Sequence, residues 1–290
     1  IYKQCMNYLI TGSSSSIGKK FVSKLSQNKR NKIYALYSTN KPSISGDNIR
    51  FIKFTLGKTT KKLNIKIDVF IHCASLLPSH NEKRKNYIDV NVHSSFKLLE
   101  NFLNKYLKKI VFISSMSVYK KNKKIISENS DLTYSDPYAE SKILFEKKLI
   151  SISKKYNINT LILRLPGYVG DSSKYNFLSQ LKYKIQNNLS VSINNPESYF
   201  NNIIHEDTLL KIVQRFLRYE KKKILILNPA SKKPIKIKNL IKLMYKKLRK
   251  NPNFIIKKNK SKSFIINTNL TRKSGYKINN TKKEVLKFLN

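Results

Sequence analysis

The chain has no tryptophan, two cysteines and only seven glycines in 290 residues. Cys5 and Cys73 lie far apart, without the spacing of a metal site or a disulfide framework. We therefore expect no bound metal and a reducing compartment. No apolar run approaches the roughly 20 residues that a membrane helix needs, so we expect no membrane segment.

The start of the chain also lacks the layout of a signal peptide, because its first apolar stretch runs directly into a glycine-containing turn. We therefore expect a cytoplasmic protein. The chain begins at Ile1, and Met6, one residue before the first predicted strand, is an alternative start.

Acidic residues are scarce: 16 Asp and Glu stand against 59 Lys and Arg, which gives a formal net charge of +43. A balance this basic can indicate binding to nucleic acid or anionic membranes. The excess is almost all lysine, accompanied by many Asn and Ile residues, as AT-rich coding sequences supply. It is scattered over the chain in clusters at residues 61–62, 120–124, 221–223 and 257–260. We interpret it as solvated surface that attracts anionic substrates mildly, and expect no specific nucleic-acid partner.

Apolar strands alternate with helical patterns through the first part of the chain. The predicted strands are Tyr8–Ile10, Lys32–Tyr37, Ile49–Phe54, Ile67–His72, Lys109–Ser114 and Thr160–Leu165. The predicted helices between them are Ile17–Leu25, Glu82–Tyr106 and Pro137–Tyr156, the last capped by Asp136. This spacing predicts an α/β fold with a doubly wound parallel sheet of the Rossmann type.

After Pro166 the alternation loosens. Helices are predicted near residues 174–186, 206–219 and 237–248, and a strand at Ile224–Leu227, while the tail from Asn251 reads as polar and only partly ordered. We expect an NAD(P)-binding domain over residues 1–165. The smaller C-terminal region, residues 166–290, would mainly bind substrate, with residues 200–230 returning to the Rossmann sheet.

The turn between the first strand and the first helix has the composition of a dinucleotide site. Small residues let the backbone approach a pyrophosphate and point amides at it from a helix N-terminus. Gly12 would form the tight turn and Gly18 the close helix packing, although Ser15 stands where a glycine is usual. The predicted cofactor-binding residues here are Gly12, Ser14, Ser15, Ser16, Ile17 and Gly18.

The second strand ends in Tyr37, Ser38, Thr39, Asn40 and Lys41, without the acid that binds the ribose of NAD. Hydroxyls and Lys41 tolerate a 2′-phosphate better than a carboxylate does. We therefore expect NAD or NADP, with a lean toward NADP and with Ser38 as a cofactor contact.

Tyr138 and Lys142 lie four residues apart, on one face of a predicted helix. An ammonium beside a phenol favours the phenolate, so we expect Lys142 to lower the pKa of Tyr138 and make it a general acid/base. Ser115 follows the strand before this helix, at the edge where such sites form. The predicted catalytic set is Ser115, Tyr138 and Lys142.

With these motifs, the sequence resembles the extended short-chain dehydrogenases/reductases of the NAD-dependent epimerase/dehydratase group. The segments that carry the resemblance run almost from end to end. They are Tyr8–Gly18, Ile67–Ser75, Asp89–His93, Leu98–Glu100, Val111–Tyr119, Pro137–Lys142, Leu163–Gly170, Phe200–Asp207 and Ser274–Ile278.

The resemblance implies a role for each matching residue. Ser115 would orient a substrate oxygen, Tyr138 would exchange its proton, and Lys142 would also hold the nicotinamide ribose. Residues implied to lie beside the cofactor, or to anchor the site around it, are Cys73, Ala74, Ser75, Asn91 and Leu165. Substrate contacts are implied for Ser115, Met116 and Gly167, and a homodimer through helices near residues 95–105 and 138–150 is common in such proteins.

Some positions depart from the group's pattern. Thr55 stands where an acid often follows the third strand, and Gly167 stands where many nucleotide-sugar enzymes have Asn. Met116 and Ser117 replace the Asp-Glu pair of sugar-nucleotide dehydratases, which disfavours dehydration. The expected function is therefore a sugar-nucleotide epimerase or a keto-sugar reductase. The alternatives are a reductase of a small non-sugar carbonyl compound, and a non-catalytic protein that binds a dinucleotide or nucleic acid.

If the positive charge is solvated surface, nucleic acids should bind weakly, without sequence preference, and less as salt rises. Filter binding of several duplexes and single strands, at physiological and at raised salt, checks this. Tight, sequence-selective binding at physiological salt would favour the nucleic-acid alternative instead.

Overall fold

The structure is a computed structural model that describes residues 5–59, 62–79, 81–120, 122–171, 173, 176–218, 224–257 and 263–290. Parts of the predicted lysine clusters lie outside these residues: 61, 121, 221–223 and 258–260. So do the start of the helix predicted from residue 174, the end of the helix predicted to residue 219, and residues 258–262 of the predicted tail.

Strands are found along the whole described chain. Numbered in chain order, they are β1 (Asn7–Thr11), β2 (Lys32–Tyr37), β3 (Ile49–Lys53), β4 (Val69–His72), β5 (Lys109–Ser115), β6 (Ile125–Ile126), β7 (Asn159–Leu165), β8 (Gly167–Val169), β9 (Val191–Asn194), β10 (Tyr199–Phe200), β11 (Ile203–His205), β12 (Ile224–Leu227), β13 (Ile235–Lys236), β14 (Phe254–Lys257) and β15 (Ile265–Ile266).

Helices alternate with these strands. They are α1 (Ser16–Leu25), α2 (Arg84–Ile88), α3 (Ser95–Glu100), α4 (Pro137–Lys155), α5 (Phe177–Gln186), α6 (Glu206–Arg218), α7 (Ile237–Leu248), α8 (Asn269–Lys273) and α9 (Thr281–Leu289). A π-helical segment, Asp89–Ser94, joins α2 to α3, and a 3₁₀ turn, Met116–Val118, follows β5.

The chain divides into two compact units. The first unit is made of Ile1–Val118, Leu132–Arg164 and Phe216–Ile226. The second is made of Tyr119–Asp131, Leu165–Arg215 and Leu227–Asn290. Each unit therefore draws on stretches from both sides of Leu165.

The first unit is built on a seven-stranded sheet in the order β12-β7-β5-β4-β1-β2-β3. The neighbours β1–β2, β2–β3, β1–β4 and β4–β5 are parallel. Strands β4 and β7 are buried along their whole length, as expected when helices cover both faces. The predicted Rossmann-type α/β fold is thus confirmed.

The order of the strands determines where a ligand can bind. The chain runs from β1 outward through β2 and β3, then returns to place β4 on the other side of β1. In open parallel sheets, such a reversal leaves a crevice beyond the carboxyl ends of the two strands. Residues that follow β1 and β4 are therefore placed at this crevice.

The prediction of one continuous helix over Glu82–Tyr106 is wrong. It is interrupted by the π-helical segment, and α3 ends at Glu100. Within this stretch the Ser95 hydroxyl donates to the Val90 carbonyl, five residues earlier, at 3.0 Å, and the buried Asn91 is bonded to Leu76 in the loop after β4. The hydrophobic period does not reveal such polar contacts, so it predicted one continuous helix.

The second unit has its own apolar core and several two-stranded sheets. Three pairs are parallel, β8–β11, β9–β14 and β6–β15, and β10–β13 is antiparallel. The prediction of a polar, partly ordered tail is wrong for its described part, which forms β14, β15, α8 and α9. Val285, Phe288 and Leu289 on α9 are buried in the core, because the apolar residues of a short helix cluster on one face.

No helix within the described ranges is both long and apolar enough to cross a membrane.

A buried carboxylate, Glu284, joins the tail to the rest of the second unit. It accepts hydrogen bonds from the His205 amide, from the Thr208 hydroxyl at 2.7 Å and from Asn279 Nδ2 at 2.6 Å. Glu284→Ala would leave the buried His205 amide and Thr208 hydroxyl without this acceptor, so we expect it to lower the free energy of unfolding by about 3 kcal/mol or more. Urea denaturation measures this change.

The matched control is Lys283→Ala, which removes an exposed side chain from the same helix. It should change the free energy of unfolding by no more than about 0.5 kcal/mol. Equal effects of the two substitutions would mean that the Glu284 contacts do not hold the tail.

Candidate active site

The turn after β1 brings the backbone unusually close to the loop after β4. Gly12 has φ +65°, and a Cβ placed there would lie 2.7 Å from the Ala74 amide nitrogen. A Cβ on Gly18 would overlap the Gly12 carbonyl oxygen. Both positions therefore require glycine: Gly12 for the tight turn and Gly18 for the packing of α1 against it.

Ser15, the departure from the glycine pattern, is the N-cap residue of α1. Its hydroxyl accepts from the Gly18 amide at 3.0 Å and donates to the Gly12 carbonyl at 2.7 Å. This is the N-cap role that serine favours. Ser16 and Ile17 form the first residues of α1, so the helix N-terminus lies at the crevice.

Thr11 joins the turn to the loop after β4. Its Oγ1 accepts from the amides of Cys73 at 3.2 Å and Ala74 at 3.1 Å, and lies 2.8 Å from His72 Nδ1. Burial lowers the pKa of His72 to about 3, so the imidazole is neutral and Nδ1 can accept the threonine proton. One hydroxyl thus fixes the backbone of Cys73 and Ala74 beside Gly12.

The ends of β2 and β3 carry paired hydroxyls in place of an acid. Ser38 Oγ and Thr55 Oγ1 are 3.0 Å apart; Ser38 directly follows β2, and Thr55 lies two residues after the end of β3. Ser14 donates to the Asn40 carbonyl at 2.5 Å, which ties the turn after β1 to the same loop. The two positions singled out for lacking an acid therefore lie next to each other.

Tyr138 opens α4, which is capped by Asp136 through the Ala139 amide at 2.8 Å. Its hydroxyl lies within side-chain hydrogen-bonding reach of Ser115 and Ser75. Ser115 Oγ accepts from the Ser117 amide at 3.1 Å and from the Ser117 hydroxyl at 2.9 Å. Its own proton is therefore available for Tyr138 or for a substrate oxygen.

The expected lowering of the Tyr138 pKa is not what the structure shows. Burial raises the pKa of Tyr138 to about 12, and the contacts with Ser115 and Ser75 offset this only in part. Lys142 does not offset the effect of burial on Tyr138. Its Nζ is 5.5 Å from the centre of the Tyr138 ring and donates to the Ile113 carbonyl at 3.1 Å.

Lys142 is itself buried, at 3% exposure. Burial lowers the pKa of Lys142 to about 8, and its partners Cys73 and Glu146 oppose that change. Burial also raises the pKa of Cys73 to about 12, so its thiol is protonated at neutral pH. The ammonium thus lies at the carboxyl ends of β4 and β5, beside Cys73.

A buried ion pair beneath the site was not predicted from the sequence. Arg164 Nη2 on β7 lies 2.7 Å from Glu146 Oε2 on α4, and the Ser114 hydroxyl donates to Glu146 Oε1 at 2.5 Å. Ser114 is therefore turned away from the crevice and Ser115 toward Tyr138. The spacing of Glu146, one turn after Lys142 on the helix, was the available signal.

Asn91 lies between the loop after β4 and α4. Its Oδ1 accepts from the Leu76 amide at 2.7 Å, and its Nδ2 donates to the Leu76 carbonyl at 3.1 Å and to Ser141 Oγ at 3.0 Å. These contacts tie the loop after β4 to α4, and a contact of Asn91 with the cofactor remains a prediction. Another residue that was not predicted from the sequence, Tyr87, bonds the same loop through Leu77 and Ser79.

The remaining predicted residues lie at strand ends. Met116 is buried in the 3₁₀ turn directly after Ser115. Leu165 is buried at the end of β7, and Gly167 begins β8, where a Cβ would lie 2.9 Å from the Asn202 carbonyl oxygen. Leu165 and Gly167 belong to the second unit, and their contacts with cofactor and substrate remain predictions.

Residues 8–221 match the NAD dependent epimerase/dehydratase family. The chain belongs to this family. Among curated relatives, the UDP-glucose 4-epimerase of Lactobacillus helveticus is 29% identical over 177 residues, which are 58% of this chain and 53% of that protein. The UDP-glucose 4-epimerase of Lacticaseibacillus casei is 32% identical over 102 residues, 34% of this chain and 31% of that protein. The chain thus spans about half the length, or less, of these relatives.

Solved structures of UDP-sugar 4-epimerases have the same fold. UDP-glucuronic acid 4-epimerase from Bacillus cereus, in complex with NAD, superposes with a TM-score of 0.82 at 20% identity, covering 98% of this chain and 97% of that one. UDP-N-acetylglucosamine 4-epimerase from Methanobrevibacter ruminantium M1, in complex with UDP-N-acetylmuramic acid, gives 0.84 at 20% identity, covering 99% and 97%.

The buried ammonium of Lys142 makes stability depend on pH. Its folded pKa of about 8 lies below the usual 10.5, so between these values the unfolded chain holds a proton that the folded chain has lost. Stability should therefore rise with pH in this window, relative to Lys142→Met, by on the order of 3 kcal/mol. Urea denaturation of both proteins at pH 7 and pH 10.5 measures it.

The control is Lys147→Met, which removes one positive charge from an exposed position of α4. If wild type and Lys142→Met differ by the same amount at both pH values, the ammonium is not desolvated as described.

Proposed function

We propose that the protein is a nucleotide-sugar 4-epimerase with NAD(P) as its hydride carrier and Tyr138 as its acid/base. The observation that carries the proposal is the cluster of Tyr138, Ser115 and Lys142 at the carboxyl edge of the sheet, beside the Gly12–Gly18 turn. Membership of the epimerase/dehydratase family and the UDP-sugar 4-epimerases among its relatives support it.

The crevice fits a dinucleotide. The Gly12 and Gly18 positions have no space for a side chain, and the first turn of α1 contains no acid that would repel a phosphate. The turn at Gly12–Gly18 would hold the pyrophosphate, and Ser38 would lie toward the adenosine ribose. When bound, the nicotinamide supplies the hydride acceptor and donor for a sugar carbon.

The side chains then divide the work of moving one proton. Tyr138, through its hydroxyl oxygen, would take the proton of the sugar hydroxyl as the carbonyl forms, and return it afterwards. Ser115 would donate to the same sugar oxygen, because Ser117 occupies its acceptor positions. Lys142, whose Nζ lies at the carboxyl ends of β4 and β5, would donate to the nicotinamide ribose.

Dehydration is not part of the proposal. It would need an acid beside Tyr138 to protonate a leaving hydroxyl, and the residues after Ser115 are a buried methionine and the hydroxyl of Ser117. Neither group is an acid at neutral pH.

Tyr138→Phe should lower the turnover rate by on the order of 10²–10⁴-fold, while dinucleotide binding stays nearly unchanged. The phenolic proton would take part in the chemistry, whereas the ring packs against Tyr87 and Lys142 and is kept in the variant. Incubation of wild type and variant with UDP-, GDP- and dTDP-sugars, followed by product mass and chromatography, measures turnover. Dinucleotide fluorescence measures binding.

We expect an isomer of unchanged mass from one of the sugars. A loss of 18 daltons would contradict the proposal, and so would full activity of Tyr138→Phe. A gain of two daltons with added NADPH would identify a keto-sugar reductase. This second candidate is favoured by one observation, the Ser38–Thr55 hydroxyl pair at the place of the ribose acid.

The same pair bears on the choice between NAD and NADP. The family is NAD-dependent, and the Bacillus cereus neighbour was solved with NAD. We infer that the hydroxyls of Ser38 and Thr55 also tolerate a 2′-phosphate. Ser38→Asp would repel this phosphate and should lower the NADP/NAD affinity ratio by about tenfold or more. Fluorescence titration with both cofactors measures the ratio.

Ser43→Asp, which adds the same charge at an exposed position further along the loop, is the control and should leave the ratio unchanged. An unchanged ratio in Ser38→Asp would mean that Ser38 does not lie beside the ribose.

A further inference from the structure

Three hydrogen bonds meet at the Thr11 hydroxyl, at the end of β1. It accepts from the amides of Cys73 at 3.2 Å and of Ala74 at 3.1 Å, and it lies 2.8 Å from Nδ1 of His72. A hydroxyl has one proton and two acceptor positions, and the two amides occupy both acceptor positions. The threonine proton therefore points to His72, and Nδ1 accepts it.

The surroundings of His72 keep its ring neutral and fixed in place. The imidazole is buried, and it stacks on the rings of Phe70 and Phe112, with centres 5.5 Å and 5.8 Å apart. The ring of Phe145 lies against it at 5.2 Å. Burial, together with the nearby Lys142, lowers its pKa to about 3. The neutral ring therefore carries its proton on Nε2 and leaves Nδ1 as an acceptor.

This acceptor decides whether the loop after β4 is held. Without Nδ1, the Thr11 proton would be a buried donor with no partner, which is costly. The hydroxyl would then rotate toward another acceptor, and its oxygen would no longer face the amides of Cys73 and Ala74 together. His72 thus determines the direction of the Thr11 hydroxyl, and through it the position of the loop.

The held amide also faces the tight turn after β1. A Cβ placed on Gly12 would lie 2.7 Å from the amide nitrogen of Ala74, the heavy atom nearest to it, and 3.0 Å from the carbonyl carbon of Cys73. The Thr11 hydroxyl therefore sets the separation between the loop and the turn at which a pyrophosphate is proposed to bind.

We propose that His72 is a positioning residue for the dinucleotide: by accepting the Thr11 proton, it directs the Thr11 hydroxyl to the amides of Cys73 and Ala74 and fixes the loop beside the cofactor. It acts through Thr11 and needs no contact with the dinucleotide. The inference rests on the proposed function for the identity of the ligand, because this loop is predicted to lie beside NAD(P).

Three substitutions separate the acceptor of His72 from its ring. His72→Phe keeps an aromatic ring among its neighbours and removes the acceptor. His72→Asn removes the ring but attaches Oδ1 to Cγ, where Nδ1 is attached in histidine. His72→Gln attaches its polar atoms one bond further out, at the place of Nε2. Only His72→Asn therefore keeps an acceptor where Thr11 needs it.

Fluorescence titration with NADH and NADPH measures the affinity of each variant. His72→Phe and His72→Gln should weaken binding by roughly three- to tenfold, and His72→Asn should stay within about twofold of wild type. Urea denaturation should rank the variants differently, because His72→Asn leaves a cavity among the rings and should be less stable than His72→Phe. Affinities that follow the order of stability would mean that His72 only packs, and would overturn the proposal.

Thr11→Val tests whether His72 acts through Thr11. It removes the hydroxyl but keeps the branched shape, so it should weaken dinucleotide binding at least as much as His72→Phe. Once Thr11 is changed, His72→Phe should have no further effect on affinity. Thr160→Val is the matched control, because it removes a buried hydroxyl near the amino end of β7, and its affinity should equal that of wild type. Equal effects of His72→Phe with and without the Thr11 hydroxyl would overturn the proposal.

The direction of the hydrogen bond can be measured without a dinucleotide. NMR of the protein with ¹⁵N-labelled histidine shows which ring nitrogen carries the proton. The chain has four histidines, and the signals absent from His72→Phe assign those of His72. We expect a proton on Nε2 and a bare Nδ1 at neutral pH, and a proton on Nδ1 would overturn the proposal.

Hydrogen exchange of the Cys73 and Ala74 amides reads the hold on the loop, again without a ligand. Exchange should be faster in His72→Phe and His72→Gln than in wild type and His72→Asn. Equal exchange in all four proteins would overturn the proposal. If wild type binds neither NADH nor NADPH, the proposed function fails, and the exchange rates still decide whether His72 fixes the loop.

Discussion

The buried ion pair between Arg164 and Glu146 is the interaction on which the arrangement of the site depends. It joins β7 to α4, and Glu146 also receives the Ser114 hydroxyl from β5. Because removal of one member of a buried pair leaves an uncompensated charge, both residues must be present together. The pair fixes the rotation of α4, and with it the direction in which Tyr138 and Lys142 project. It also decides that Ser115, and not Ser114, faces them.

A second constraint acts on the other side of the crevice, where the turn after β1 meets the loop after β4. Gly12 allows this approach, and Thr11 makes it rigid by accepting two amides from the loop. Further along the same loop, Asn91 holds Leu76, and Tyr87 holds Leu77 and Ser79, by hydrogen bonds. The surroundings of Tyr138 are therefore set by neutral hydrogen bonds on one side and by buried charge on the other.

The parts of this arrangement that the sequence reveals are those with a local pattern. Alternating apolar strands predicted the sheet, and the helical spacing of Tyr138 and Lys142 predicted their common face. The hydrogen bonds of Asn91 to Leu76 and to Ser141 join residues 15 and 50 positions apart, which no local pattern encodes. The predicted lowering of the Tyr138 pKa was wrong for the same reason, because burial and the hydrogen bond from Lys142 to Ile113 depend on the tertiary structure.

The scarcity of acids has a structural meaning that the net charge conceals. Several of the acids are placed where backbone or buried groups need an anionic acceptor: Asp68 accepts from the Asn7 amide, Glu128 from the Asn228 amide, and Asp136 caps α4. Glu146 and Glu284 are fully enclosed. Acids used in this way cannot neutralise surface lysines, so a chain can become strongly basic without acquiring a nucleic-acid site.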